Sequence, residues 1–236
     1  MTALLIALTV FIAIFVQSFS GFGLALVMMP LLSSMIGVHV AAPLVALIAL
    51  LAEAIILLRY REALNLQAVK RITLASLVGI PFGILAVRYV DESIVLPVLG
   101  IVVAGYALYA LSNLRLPEIR HPGWAYGLGF VAGVFGAAYN TSGPPVIIYG
   151  TCRRWPPAEF KSNLQGFFLV NSIMVAAAHG LGGNFTPTVL QDVLIALPAI
   201  ALGALAGFSL DGRINPAQFR RIVLVLLVVL GGTLIV

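Results

Sequence analysis

The chain divides into eight apolar stretches separated by short polar loops, at about residues 3 to 34, 39 to 58, 68 to 88, 93 to 111, 122 to 150, 163 to 180, 188 to 210 and 217 to 236. A bilayer core of ~30 Å takes about 20 apolar residues per helical crossing, so these stretches have the length of membrane helices. None shows the alternation of apolar and polar residues that a membrane barrel requires. The pattern predicts an all-α, polytopic transmembrane bundle of about 6 to 8 segments.

Two stretches are longer than one crossing needs, and both are interrupted. The first carries Gln17, Ser18, Ser20, Gly21, Gly23 and Pro30; the fifth carries Gly133, Gly136, Asn140, Thr141, Ser142, Gly143, Pro144 and Pro145. Each is expected to be a broken helix. Each also opens a run of three ordinary segments, so the chain reads as an internal duplication. Residues 1–111 form the first repeat, the polar stretch 112–121 a cytoplasmic linker, and residues 122–236 the second repeat. Gly79 to Gly83 in the third segment corresponds to Gly203 to Gly207 in the seventh, with Asp91 and Asp211 following in similar loops. Duplication of this kind is the common plan of secondary transporters.

Charge then orients the halves. Lys and Arg in short loops favour the cytoplasm. The loop after segment 2 holds Arg59, Arg61, Lys70 and Arg71, whereas its counterpart at 181 to 187 holds none. The loop after segment 1 holds none, whereas its counterpart holds Arg153, Arg154 and Lys161. After segment 3 a lone Arg88 faces Asp91 and Glu92, against Arg213, Arg220 and Arg221 in the second half. The bias reverses in every comparison. Inverted-topology repeats meet this condition if each broken segment is a re-entrant hairpin followed by three crossings. Loops 59 to 71, 112 to 121, 151 to 161 and 211 to 221 are then cytoplasmic and both termini outside.

Composition narrows the function. Apolar residues make up 61% of the chain and Asp, Glu, Lys and Arg only 9%, far below the ~25% of soluble domains. The net charge of +5 arises from loop residues, so nucleic acid is not an expected partner. A single cysteine, Cys152, excludes an internal disulfide or a thiolate cluster. No phosphate-cradling Gly-rich loop with Lys and Ser/Thr occurs, which argues against ATP hydrolysis. No basic region precedes the first stretch, which is read as a retained membrane segment. No cofactor or metal is expected, and the localisation expected is the cytoplasmic (inner) membrane, multi-pass.

The breaks are the candidate site. Unwound backbone at membrane depth is tolerated only inside protein or along a wet cavity. Half-helices restarting there present N–H groups and a positive dipole end, which suit an anion. The substrate-binding candidates are Gln17, Ser18, Ser20, Gly21, Phe22 and Gly23 at the first break, with Asn140, Thr141, Ser142, Gly143 and Pro144 at the second. Small residues serving only close helix packing are the structural alternative.

With Ser20-Gly21-Phe22-Gly23 ahead of Pro30-Leu31-Leu32, Gly143-Pro144-Pro145-Val146-Ile147-Ile148-Tyr149 in the second half, and Gly79 to Gly83, the chain resembles the sulfite exporter TauE/SafE family of membrane permeases. The resemblance covers nearly the whole chain. It implies transport, usually outward, of sulfite, sulfonates or other sulfur-containing organic anions. Phe22 and Leu24 depart from the longer Gly-rich run often found in the family's first break.

Glu53 is the one acid deep inside an apolar run, at a cost of about 2.5 to 3.5 kcal/mol for a charged mid-helix residue. It lies about 9 Å along the helix from Arg59. A proton-coupling group is one reading; a carboxyl satisfied by a polar neighbour or snorkelling towards the loop is the other. Segment 6 places Gln165, a further substrate-binding candidate, at seven-residue spacing from Ser172 and His179, on one helix face. Trp124 and Trp155 fit interfacial anchors. Arg153, Arg154 and Lys161 are read as topology signals.

The leading expectation is a secondary transporter for a small anion, with an anion channel as alternative. An intramembrane enzyme ranks below both. It would need Ser18, Ser20 or Ser142 beside His179, and His39, His121 and His179 lack paired metal-ligand spacing. The expected partners are the anion and the lipid bilayer, with homo-oligomerisation left open.

Overall fold

The computed structural model describes residues 2–112, 114, 116–210 and 215–235. Asp211 and Arg213, used above for topology, lie outside the described residues, as do Asn113 and Arg115 of the linker. Ten α-helices account for most of the described chain: α1 (Thr2–Ser20), α2 (Leu24–Ile36), α3 (Val38–Tyr60), α4 (Leu66–Tyr89), α5 (Glu92–Leu111), α6 (Gly123–Tyr139), α7 (Gly143–Cys152), α8 (Pro157–Leu181), α9 (Pro187–Leu210) and α10 (Pro216–Thr233). No strand occurs among the described residues. Helices α1, α3, α4, α8 and α9 are long and apolar enough to cross a membrane.

Both predicted breaks are present. Gly21 (φ 85°) and Gly23 (φ 111°) separate α1 from α2, in a region that only glycine enters without strain. Asn140 (φ 52°) ends α6 in the left-handed conformation, and two prolines in the first turn of α7 restart the helix.

The fifth segment is a hairpin. At the mouth of α6–α7 the Ile119 N–H, just ahead of α6, donates to the Cys152 carbonyl at the end of α7 (3.0 Å). Both ends of the hairpin therefore lie at one end of the bundle. The first segment is its inverse. Helix α1 runs parallel to α9, with Gly203 against Phe11 and Ile14 and Gly207 against Phe15 and Ser18. Helix α2 then returns to the end at which α3 begins.

Direction establishes the inversion. Segments 2 and 6 are α3 and α8, and they pack antiparallel. The Ser162 hydroxyl donates to the Tyr60 carbonyl (2.8 Å) at one end, Glu53 meets Ser172 midway, and His39 and His179 share a hollow at the other end. Segments 4 and 8 are α5 and α10, also antiparallel, with Gly100 against Gly231 and Tyr106 near Arg220. A two-fold axis in the membrane plane makes equivalent helices antiparallel, and an axis along the normal would make them parallel. The halves also exchange partners: α4 packs on α6 as α9 packs on α1. The two glycine pairs read as equivalent in the sequence do the same work here. Gly79 and Gly83 admit the Phe130 and Val134 carbonyls of α6, and Gly203 and Gly207 admit those of Phe11 and Phe15.

The basic loops gather at one end. The Asn65 N–H donates to Asn163 Oδ1 (2.8 Å), and Lys161 Nζ donates to the Tyr60 hydroxyl (2.9 Å). Arg153 and Arg154 donate to linker carbonyls of Ile119 and Leu116 (3.1 and 2.9 Å). Eight plain crossings would hold the end of segment 2 and the start of segment 6 on opposite sides, so that arrangement is excluded. Of the two tryptophans, Trp124 is exposed as expected of an anchor. Trp155 instead packs between Tyr149 and Phe160.

Candidate functional site at the two helix breaks

The breaks, from opposite halves, line one buried cavity. Its walls are Gln17, Gly23, Leu24, Ala25 and Leu26 from the first half, Asn140, Thr141, Ser142 and Gly143 from the second, and Glu53, Phe168, Asn171 and Ser172 from the crossing pair α3 and α8. The free space is about 30 Å³, room for a water or two and less than a sulfur oxyanion fills.

At the first break Gln17 is 2% exposed, and its Oε1 accepts from the Leu24 N–H (3.0 Å), capping α2 from within α1. The Ser20 hydroxyl lies 2.6 Å from the Val16 carbonyl and 2.7 Å from that of Phe22. The Ala25 and Leu26 N–H groups, in the first turn of α2, have no intrahelical acceptor and line the cavity. At the second break the Asn140 amide donates to the Ala42 carbonyl (2.9 Å), and the Thr141 hydroxyl donates to the Tyr139 carbonyl (2.8 Å).

Several hydroxyl and amide donors expected to face a ligand are thus engaged with backbone. Helix ends account for part of this: Thr141 meets the Tyr139 carbonyl left free at the end of α6, whereas Asn140 reaches Ala42 inside α3 and Ser20 reaches Val16 inside α1. Pro144 and Pro145 subtract two N–H donors from α7. What remains to serve an anion is the Ser142 hydroxyl, the Gly143 N–H, and the Ala25 and Leu26 N–H groups.

The other candidates stand outside the cavity lining. Ser18 is buried against Gly207, with its hydroxyl unpaired. Gly21 is the anchor of the hairpin tip: its carbonyl accepts from Gln165 Nε2 (2.7 Å), while Lys161 Nζ reaches the Phe19 carbonyl (3.2 Å). Gln165 therefore holds the tip instead of lining the cavity. Phe22 packs edge-on to Tyr106 (6.3 Å between centroids), and Pro144 is buried in α7.

Glu53 is 6% exposed, hydrogen-bonded to Ser172, with Oε2 lacking a partner. It does not snorkel. Asn171, also buried with Oδ1 unpaired, was not among the candidates although it sits beside Ser172 in the polar stripe of α8. That stripe was its available signal: Gln165, Ser172 and His179 lie respectively at the hairpin tip, the cavity and a hollow at the opposite end. His179 shares that hollow with His39 and pairs there with Asn184 (3.0 Å), so the two histidines are closer in space than their spacing suggests. The lining of that hollow includes none of Ser18, Ser20 and Ser142.

Inverted repeats and paired helix breaks that line one small cavity match a secondary-transporter architecture. The family model "Sulfite exporter TauE/SafE" matches residues 6–234, and the chain belongs to that family of membrane transporters; it is not an enzyme. It is 27% identical over 225 residues to the "Probable sulfite/organosulfonate exporter TauE" of Cupriavidus necator, across 92% of this chain and 88% of that protein. No solved structure matches the chain.

Proposed function

We propose that this protein exports sulfite or a small organosulfonate across the cytoplasmic membrane by alternating access. In this reading the two halves, 1–111 and 122–236, rock against each other around the central cavity, and the basic end, including linker 112–121, is cytoplasmic. The observation that carries the proposal is the convergence of both breaks on one cavity, lined by Ala25 and Leu26 of the first turn of α2 and by Gly143 of α7. The Cupriavidus relative's name supplies the substrate class.

The narrowness of the cavity, with both hairpin tips pinned, favours a carrier over a channel. The tip of the first hairpin is held by Gln165 and Lys161, and that of the second by the Asn140 bond to α3. The test is flux of radiolabelled sulfite in proteoliposomes. A carrier gives saturable flux that is accelerated by sulfite on the far side. Ser142→Ala removes a donor to a charged ligand, a loss of about 1.5 to 3 kcal/mol, and is expected to raise KM at both faces by roughly tenfold or more. Unchanged KM at both faces would remove the breaks from the binding site.

A further inference from the structure

A second polar hollow, of about 220 Å³, opens at the basic end between α5, α7 and α10. Arg154 and Arg220 both line it, from different elements, together with Tyr106, Tyr109 and Thr151. Tyr106 is 5% exposed; its hydroxyl oxygen faces the Arg220 guanidinium, which only donates, so the phenol proton has no acceptor. A buried hydroxyl whose proton has no acceptor, in a hollow lined by two guanidinium groups, is a donor set that lacks its acceptor. Arg154 uses one donor on the Leu116 carbonyl, and a guanidinium has five.

The hollow adjoins the central cavity. The Arg220 guanidinium lies over the Phe22 ring (5.9 Å), and Phe22 packs edge-on to Tyr106. Phe22 sits between Gly21 and Gly23 at the hairpin tip, and Gly23 already lines the central cavity. Phe22 with Tyr106 therefore forms an aromatic layer that touches Arg220 on the hollow's side and is joined through Gly23 to the lining of the central cavity.

We infer that this hollow is a loading site for the exported oxyanion, with Arg154, Arg220 and the Tyr106 hydroxyl as its donors. A sulfite or sulfonate group offers oxygens that a guanidinium grips through paired N–H bonds, and a neutral tyrosine donates to the remaining lone pairs. Capture here concentrates the anion against the Phe22 layer. The adjacent cavity, with no fixed cation, receives it when the hairpin tip moves. The inference rests on the transport reading above and adds a binding step on one face only.

The experiment measures sulfite KM separately from the two faces, in right-side-out and inside-out membrane vesicles. Arg154→Gln, Arg220→Gln and Tyr106→Phe are compared with Arg61→Gln, a charge removal at the same end but outside the hollow. Each arginine variant is expected to raise KM at the basic face by about tenfold, the loss of one charge-assisted bond. Tyr106→Phe, which leaves the packing intact, is expected to raise it about threefold, because a neutral donor contributes less. KM at the other face stays within about twofold, Arg61→Gln changes neither KM, and Arg220→Lys, which keeps the charge but loses the paired N–H bonds, recovers only part of the affinity. Raising salt weakens the basic-face KM of the parent more than that of the arginine variants.

Unchanged basic-face KM in all three variants overturns the loading site, as does an equal rise at both faces. Ser142→Ala, run in parallel, keeps the two readings apart. If it leaves both faces unaffected while the arginine variants shift one, the central site fails and the loading site stands; the reverse result removes the loading site alone.

Discussion

At the scale of residues, Glu53 carries the sharpest expectation. A carboxyl 6% exposed at membrane depth, with one oxygen on Ser172 and the other unpaired, shares a small cavity with helix N-termini that favour anions. An ionised Glu53 and a bound oxyanion would repel each other across that space. Substrate entry is then favoured with Glu53 protonated, which ties anion movement to proton movement. Glu53→Gln keeps shape and hydrogen-bonding capacity while abolishing the titration. Sulfite flux driven by an imposed pH gradient should lose that drive in the variant, whereas flux driven by a sulfite gradient should persist. A variant whose flux still follows the pH gradient would take Glu53 out of the coupling.

At the scale of elements, the hairpins depend on how closely two helix pairs approach. A Cβ on Gly83 would fall on the Val134 carbonyl and within 2.9 Å of Ala137 Cβ, both on the face of α6 that packs along α4. Gly83→Val is expected to lower stability by ~1 to 3 kcal/mol or more through overpacking. Gly105→Ala, where nothing lies within 4 Å, is expected to be neutral or slightly stabilising in its helix. Thermal unfolding of the purified protein in detergent checks both. Equal melting temperatures for Gly83→Val and the parent would mean that the approach of α4 to α6 does not limit stability.

The tip of the first hairpin offers a second element-scale test. Gln165 is wholly buried and its amide donates to the Gly21 carbonyl. Gln165→Leu leaves that carbonyl without its partner and costs about 1 to 3 kcal/mol of the closed arrangement. Accessibility of a cysteine placed at Ser20 to a thiol reagent should rise accordingly, against the same cysteine with Gln165 intact. The background cysteine, Cys152, is 2% exposed and adds little signal.

At the scale of the whole molecule, inverted repeats make a claim about sidedness. Asn65→Cys and Asn215→Cys should be labelled by an impermeant reagent from the same face, and Asn184→Cys from the other. Opposite labelling at 65 and 215 would contradict the inversion. The expectation follows from chain direction: α3 ends and α8 begins at the same end of the bundle, while the loop before α9 lies at the far one.

Much of this plan was legible in local chemistry. Gly21 and Gly23 mark backbone that other residues cannot adopt, and Asn140 followed by two prolines marks a stop and a restart, so both breaks follow from the residues that form them. The reversal of basic residues between the halves reflects a rule acting on each loop separately, which is why it predicts hairpins without any knowledge of packing. Less legible was the use of each donor. Asn140, Thr141 and Ser20 look like ligand groups in the sequence, and in the structure each bonds a backbone carbonyl, of Ala42 in α3, Tyr139 at the end of α6 and Val16 in α1 respectively. Gln165, grouped with the binding residues, proves to be a tip anchor 144 positions from its partner.

The sequence by itself determined the membrane class, the two broken segments, the duplication and the inverted bias of charge, because each rests on apolar length, backbone permissiveness or loop charge within a short span. Only the tertiary structure decided that both breaks and Glu53 share one cavity, and that Arg154, Arg220 and Tyr106 meet beside Phe22. Those groups come from helices far apart in the chain. Their meeting depends on the antiparallel packing of equivalent segments, a property of the assembled bundle that no single segment encodes.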